Sequence, residues 1–180
     1  NALLRRLIAR RCIYGVDINE VAVQLARLAI WIHTFVPGLP LSLLDRNLVQ
    51  GNSLIGIGQL DEIRESLDEH QLSHWFGDLG DWLGKAKEPL ARLGKIADSN
   101  KSEIASAKAA WKEAEKAVAP LLALCRIVTN NRLTGGFLFE RPNTTWKENP
   151  ELLLDSPEHL EAVSDLAAMG ASPRAVVLSL

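Results

Sequence analysis

Residues 12–35, CIYGVDINEVAVQLARLAIWIHTF, decide how this chain is read. A short apolar run, Cys12-Ile13-Tyr14-Gly15-Val16, stops abruptly at Asp17, and a helical pattern begins at once. The run is bounded by charges and has the composition of a buried, parallel-type strand. From Asn19 onward, Val21, Ala22, Leu25, Ala26, Leu28, Ala29 and Ile32 recur at helical spacing. Asn19 is placed to cap that helix, and Glu20 suits its first turn. Val36-Pro37-Gly38-Leu39-Pro40 predicts the turn that ends it.

Working outward, Leu3, Leu4, Leu7 and Ile8 share one helical face, with Arg5, Arg6, Arg10 and Arg11 around them. Downstream, Leu48-Val49-Gln50-Gly51-Asn52-Ser53-Leu54-Ile55-Gly56 reads as a second short strand running into a turn. The order helix, strand, helix, loop, strand predicts an α/β layer with a parallel sheet.

Residues 59–133 change character. An acidic amphipathic stretch over 60–76 leads to GDLGDWLGK, Gly77 to Lys85, which reads as a break. Two helical patterns follow, Leu90 to Ile96 and Lys101 to Val128, separated by Asp98-Ser99-Asn100. Pro120 is expected to kink or end the second. Together they predict a helical hairpin projecting from the α/β layer. From residue 134 the tail is turn-rich, and Pro150 and Pro157 sit where first-turn prolines belong, so two short helices are expected.

The 180 residues allow one domain or two small ones. A net charge of −2 gives no overall bias toward nucleic acid or membrane, but the charge is unevenly spread. Residues 85–132 hold ten Lys or Arg against five Asp or Glu, whereas residues 140–165 hold two against seven. A basic hairpin can meet phosphates or simply be a solvated face. Cys12 and Cys125 lack any metal or redox spacing and read as reduced, buried, small apolar side chains of a cytoplasmic protein. No apolar run approaches the ~18 residues of a membrane span. A first residue of Asn1, with LLRRLIARR close behind, reads as a piece of a longer chain.

In an open parallel sheet, ligands bind beyond the carboxyl ends of the strands. Asp17 at such an end is placed to accept hydrogen bonds from a pair of ribose hydroxyls, or to serve as a local cap. Ile18 offers an apolar side chain to a purine face, and Asn52, with both donor and acceptor, can read a base edge.

GVDINEVAVQLARLAIWIHTF followed by LSLLDRNLVQGNSLIGIG resembles the middle of the adenine-N6 DNA methyltransferases. The likeness is to the large bacterial proteins of fused restriction–modification and BREX-type phage-defence systems. It covers residues 4–58 closely and extends more loosely to about residue 133. It implies part of a Rossmann-like class I methyltransferase sheet with a long helical hairpin insert. Residues 1–58 would be a partial S-adenosylmethionine-binding region, 59–133 the insert and 134–180 an acidic tail. By this resemblance Asp17 would hold the ribose hydroxyls of S-adenosylmethionine and Ile18 would flank its adenine. Asn52 would contact the adenine edge, and Gly51 would let the backbone approach closely. The partners implied are DNA, through the full-length enzyme, and the remaining methyltransferase segments or other defence-system subunits.

Two of the family's motifs have no counterpart here. No x-G-x-G cofactor loop precedes the first strand, and the only Asn-Pro pair, Asn149-Pro150, continues as Glu151-Leu152 rather than Pro-aromatic. Without that tetrapeptide a flipped base has no stacking partner, so Asn149 reads as a helix cap and the chain alone is expected to be inactive. The alternatives are a non-catalytic helical interaction module of a defence complex and a different adenosine-cofactor enzyme of the NAD type. His70 and His74 have zinc-ligand spacing but read as a surface pair. Gly56-Ile57-Gly58 reads as a turn. Trp31, His33 and Thr34 are expected to pack in a core, and Trp75, Trp82 and Trp111 between helices.

Overall fold

The computed structural model describes residues 2–39, 44–67, 72–96, 100–135, 139 and 146–169. Strand β1 (Gly15–Asp17) lies parallel to β2 (Leu48–Gln50), with Gly15 opposite Leu48, Val16 opposite Val49 and Asp17 opposite Gln50. Helix α1 (Ala2–Cys12) precedes β1, and helix α2 (Glu20–His33) makes the crossover to the short α3 (Leu44–Asn47) and β2. Asn47 fastens this unit, because its side-chain amide donates to the carbonyls of Arg10 (2.7 Å) and Ile13 (3.0 Å). Arg27 of α2 donates through Nε to the carbonyl of Leu48 at 3.1 Å, which ties the helix to the sheet.

The rest is helical: α4 (Leu60–Ser66), a π-helical turn (Leu72–Phe76), α5 (Leu79–Lys95), α6 (Lys101–Thr134), a 3-10 helix (Pro150–Asp155) and α7 (Pro157–Ala168). Helices hold 74% of the described residues, whose sheet has two strands. The protein is therefore mostly helical, and the expectation of an α/β, Rossmann-like class is corrected. After residue 59, the apolar residues that reach the core recur at helical spacing and bury as helix faces. The one long apolar run among the described residues there, Leu121 to Cys125, lies inside α6 and buries as helix.

The hairpin is longer than its sequence pattern suggests. Gly77 to Lys85 is not a break, because Asp78 caps α5 by accepting from the Gly80 N–H at 2.7 Å. Trp82, 5% exposed, anchors the same turn, so burial outweighs the ~1 kcal/mol that a helical glycine costs. α6 continues through Pro120 to Thr134, where Gly135 takes a left-handed conformation (φ 72°) as the C-cap. In the distal half, Ala86 and Pro89 of α5 and Ile104, Ala107, Ala110 and Ala114 of α6 are the buried residues of the two helices. The alanines among them let the two backbones approach closely.

Beyond Pro120, α6 is buried nearly all round: Leu121, Ala123, Leu124, Cys125, Ile127 and Val128 are each no more than 3% exposed. The cover comes partly from the acidic tail, whose Leu153, Ala162 and Leu166 enter the same core. An aromatic cluster closes it. Phe76 stacks on Trp146 (5.6 Å between centroids, 16° between planes), with Trp82 edge-on to Phe76 and Phe139 tilted against both rings of the stack. The β1–β2 unit meets the hairpin through charge. Arg10 donates to the carbonyls of Ile96 (3.0 Å) and Leu93, and Arg11 to that of Gly94, satisfying orphan groups at the C-terminus of α5.

Candidate functional site

The parallel register brings the C-terminal ends of β1 and β2 side by side, and with them all four residues singled out in the sequence. Gly51 donates its N–H to the Asp17 carbonyl at 2.9 Å, fixing the two strand ends against each other. Gly51 itself is buried, so its backbone is part of the wall and not an exposed contact. The Asp17 carboxylate is exposed and accepts the Asn19 N–H at 2.7 Å through Oδ1. Asn19 in turn caps α2, its Oδ1 accepting from the N–H groups of Val21 (2.9 Å) and Ala22 (3.3 Å). Asp17 thus has a local role in starting the helix, and its carboxylate oxygens keep further lone pairs for a ligand.

Ile18 is 58% exposed, and Gln50 donates from its side chain to the Ile18 carbonyl at 3.5 Å. Asn52 is half-buried; its Oδ1 accepts the Leu54 N–H at 2.9 Å, which leaves the amide NH2 as the donor end of that side chain. The strand ends therefore offer a carboxylate acceptor, a solvent-facing aliphatic side chain and an amide donor. That set matches the chemistry of a nucleoside: hydroxyl donors, an apolar ring face and ring-nitrogen acceptors.

The helix between the strands differs from expectation. α2 buries Val23, whereas Val21 (64%), Leu25 (61%), Leu28 (49%), Ile32 (61%) and Phe35 (49%) face solvent. Val21, Leu25, Leu28 and Ile32, at i, i+4, i+7 and i+11, make one continuous apolar stripe along α2, and Phe35 lies just beyond its C-cap Thr34. Leu3, Leu4 and Ile8 of α1 are likewise about half exposed. Core packing holds for Thr34 (4%), but His33 is exposed and Trp31 half-buried, edge-on to Phe35 at 5.5 Å. Cys12 is exposed and Cys125 buried, so the reading of both as core residues is corrected for the first.

His70 lies outside the described residues, as do Asp98, Ser99 and the terminal stretch GASPRAVVLSL. His74 is exposed, and among the described residues no group of three or more His, Cys, Asp or Glu side chains could hold a metal ion. Asn149 occupies the N-cap position of the 3-10 helix without a side-chain capping bond. Trp111 packs beneath the Arg46 guanidinium, 4.8 Å from its ring centroid. Among the described residues no helix is long and apolar enough to cross a membrane.

Two polar clusters escaped the sequence reading. Arg132 on α6 donates to the Glu62 carboxylate (2.6 Å), the Glu62 carbonyl (2.8 Å) and Ser66 Oγ (3.1 Å). Glu62 also accepts the Gly58 and Gln59 N–H groups, and Arg132 first, then these amides, hold its carboxyl below the usual range. On the other side of α6, the buried His159 ring lies between the Leu154 carbonyl (2.8 Å) and Arg126 (3.2 Å). Glu62 shows a sequence signal, the Gln59-x-x-Glu62 capping box, but pairing across more than thirty residues has none. No family model, curated protein or solved structure matches this chain.

Proposed function

We propose that this chain is a segment of a DNA adenine-N6 methyltransferase of a bacterial restriction–modification or phage-defence system, carrying the ribose and adenine half of an S-adenosylmethionine site. The observation that supports it is the pairing of β1 with β2. It sets Asp17 and Ile18 beside Gly51 and Asn52 at adjacent strand ends, from motifs 35 residues apart. In this reading the Asp17 carboxylate receives the two ribose hydroxyls, Ile18 covers one face of the adenine and the Asn52 amide donates to its edge. The methyl group is supplied by S-adenosylmethionine. Placing it in line with a target amine requires the family's glycine-rich loop and Pro-Pro-aromatic tetrapeptide, whose patterns this sequence lacks.

The apolar stripe of α2 and the exposed leucines of α1 support the same reading. Apolar side chains at that spacing mark a surface that further polypeptide covers. In this proposal that polypeptide is the remainder of the methyltransferase or another defence-system subunit. The stripe is also what favours the second reading, a non-catalytic interaction module. Calorimetric titration with S-adenosylhomocysteine separates the two. Saturable binding that Asp17→Ala abolishes supports the cofactor half-site; no binding by the parent chain leaves the interaction module.

A further inference from the structure

We propose that residues 2–52, which carry the candidate site, form a unit that opens separately from the rest of the molecule and is held shut by an arginine latch. The apolar core supports the division. Among the described residues, every member of the main buried cluster falls between Ile57 and Leu166, so the chain joins that cluster only after the turn at Asn52. Among the described side chains of residues 2–52, the buried apolar ones are Ala9, Val23 and Leu48. Three such side chains and two short strands leave the unit marginal by itself.

Guanidinium groups make the grip on the hairpin. Arg10, 7% exposed, donates to the Ile96 carbonyl at 3.0 Å and to that of Leu93, and Arg11 donates to that of Gly94. These carbonyls belong to the last turn and the C-cap of α5, where a helix is short of donors and its dipole is negative. A third arginine, Arg46 of α3, lies over the Trp111 ring of α6. Asn47 ties the two grips together, because its amide donates to the carbonyls of Arg10 and Ile13. Polar bonds of this kind can be traded for bonds to water, whereas the core beyond Ile57 opens only by exposing apolar surface. The grip on α5 is therefore where the molecule parts first.

Opening also takes the candidate site apart, a consequence that rests on the nucleoside reading of the strand ends. Asp17 and Ile18 follow from β1, and Gly51 and Asn52 from β2, so all four lie on the unit and meet only while the strands are paired. Once released, the unit has too little core to keep β1 on β2. A ligand that bridges the two strand ends binds the closed form alone and favours it by mass action. Occupation of the strand ends is thereby linked to order in α1 and α2 and to the seating of Arg10 and Arg11 on α5.

The test is native-state hydrogen exchange, read by mass spectrometry on the 180-residue chain and on an Arg10→Met, Arg11→Met variant. Methionine keeps an aliphatic stem and a high helix propensity while removing the donors. In the parent, amides of β1, α2 and β2 should exchange at least roughly tenfold faster than those of Leu121 to Val128 in the core. In the variant the N-terminal amides should speed up by a further factor of roughly ten, the effect of losing bonds to a charged donor, while Leu121 to Val128 keep the parent's rate. Equal protection of α2 and of Leu121 to Val128 in the parent overturns the proposal before any variant is made. A variant whose N-terminal exchange matches the parent's, one that speeds both regions alike, or one that does not fold overturns it too, since releasing the latch must spare the helical body. Added S-adenosylhomocysteine should slow the N-terminal amides of the parent; if it does not, the nucleoside reading fails and the latch stands.

Discussion

Acidification should loosen the C-terminal cover of the hairpin through one side chain, His159. It is 6% exposed and packed between α6 and the 3-10 helix. Arginine can only donate, so Nε2 facing Arg126 must be the lone-pair nitrogen, and Nδ1 carries the proton donated to the Leu154 carbonyl. A second proton would set two donors against each other in a buried place. Burial, aided by Arg126, holds the pKa below the ordinary 6.5 against the opposing pull of Leu154 and Asp155. The sign follows. Between the ordinary value and the folded one, the unfolded chain takes up a proton that the folded chain refuses, so stability is full above about pH 6.5 and falls below it. One proton corresponds to ~1.4 kcal/mol per pH unit, which is the ceiling on the slope of stability against pH that His159 contributes below about pH 6.5. Urea melts followed by tryptophan fluorescence measure it. His159→Gln should be less stable at pH 7.5 yet lose that dependence. Glu62 acts in a separate window: its depressed pKa gives stability that is lost only as pH falls below about 4.5. An equal slope in the parent and His159→Gln between pH 7.5 and 5.5 would refute the assignment.

Leu124 is fully buried where α6 carries the core, and Leu124→Ala should cost about 2–5 kcal/mol in the same urea melts. Leu160→Ala on the exposed side of α7 should change stability by no more than about 0.5 kcal/mol. The cysteines should separate by reactivity: Cys12 is exposed, whereas burial pushes the Cys125 thiol up to about 12. A maleimide counted by mass spectrometry should add once to the native chain at pH 7.5 and twice in denaturant.

The local grammar of the first sixty residues was legible because it is written in adjacent residues. The Asn19 cap, the turn at Pro37-Gly38 and the strand-ending Asp17 each depend on neighbours within a few positions. What long-range packing decides was not legible. Three glycines between 77 and 84 argue for a break on propensity alone, and only the burial of Leu79 and Trp82 makes that segment helix. The tail reads as acidic because charge is counted over every residue, while its fold is decided by Leu153, Ala162 and Leu166 on the buried side. Sheet size was the larger miss. Helix, strand, helix, strand is compatible with a wide sheet, but the number of strands depends on chain far from the motif, and here that chain forms helices. The four candidate residues come together for the opposite reason: parallel pairing in register carries two local motifs to one edge.

The central claim is that the ends of β1 and β2 form a nucleoside half-site. Backbone amide shifts of the 15N-labelled chain, followed during titration with S-adenosylhomocysteine, test it most directly. The account predicts saturable shifts concentrated at Asp17 to Asn19 and Gly51 to Leu54, absent in Asp17→Ala, with the seam between α5 and α6 unmoved. Shifts centred on the hairpin, or none at any residue of the two strand ends, would contradict it.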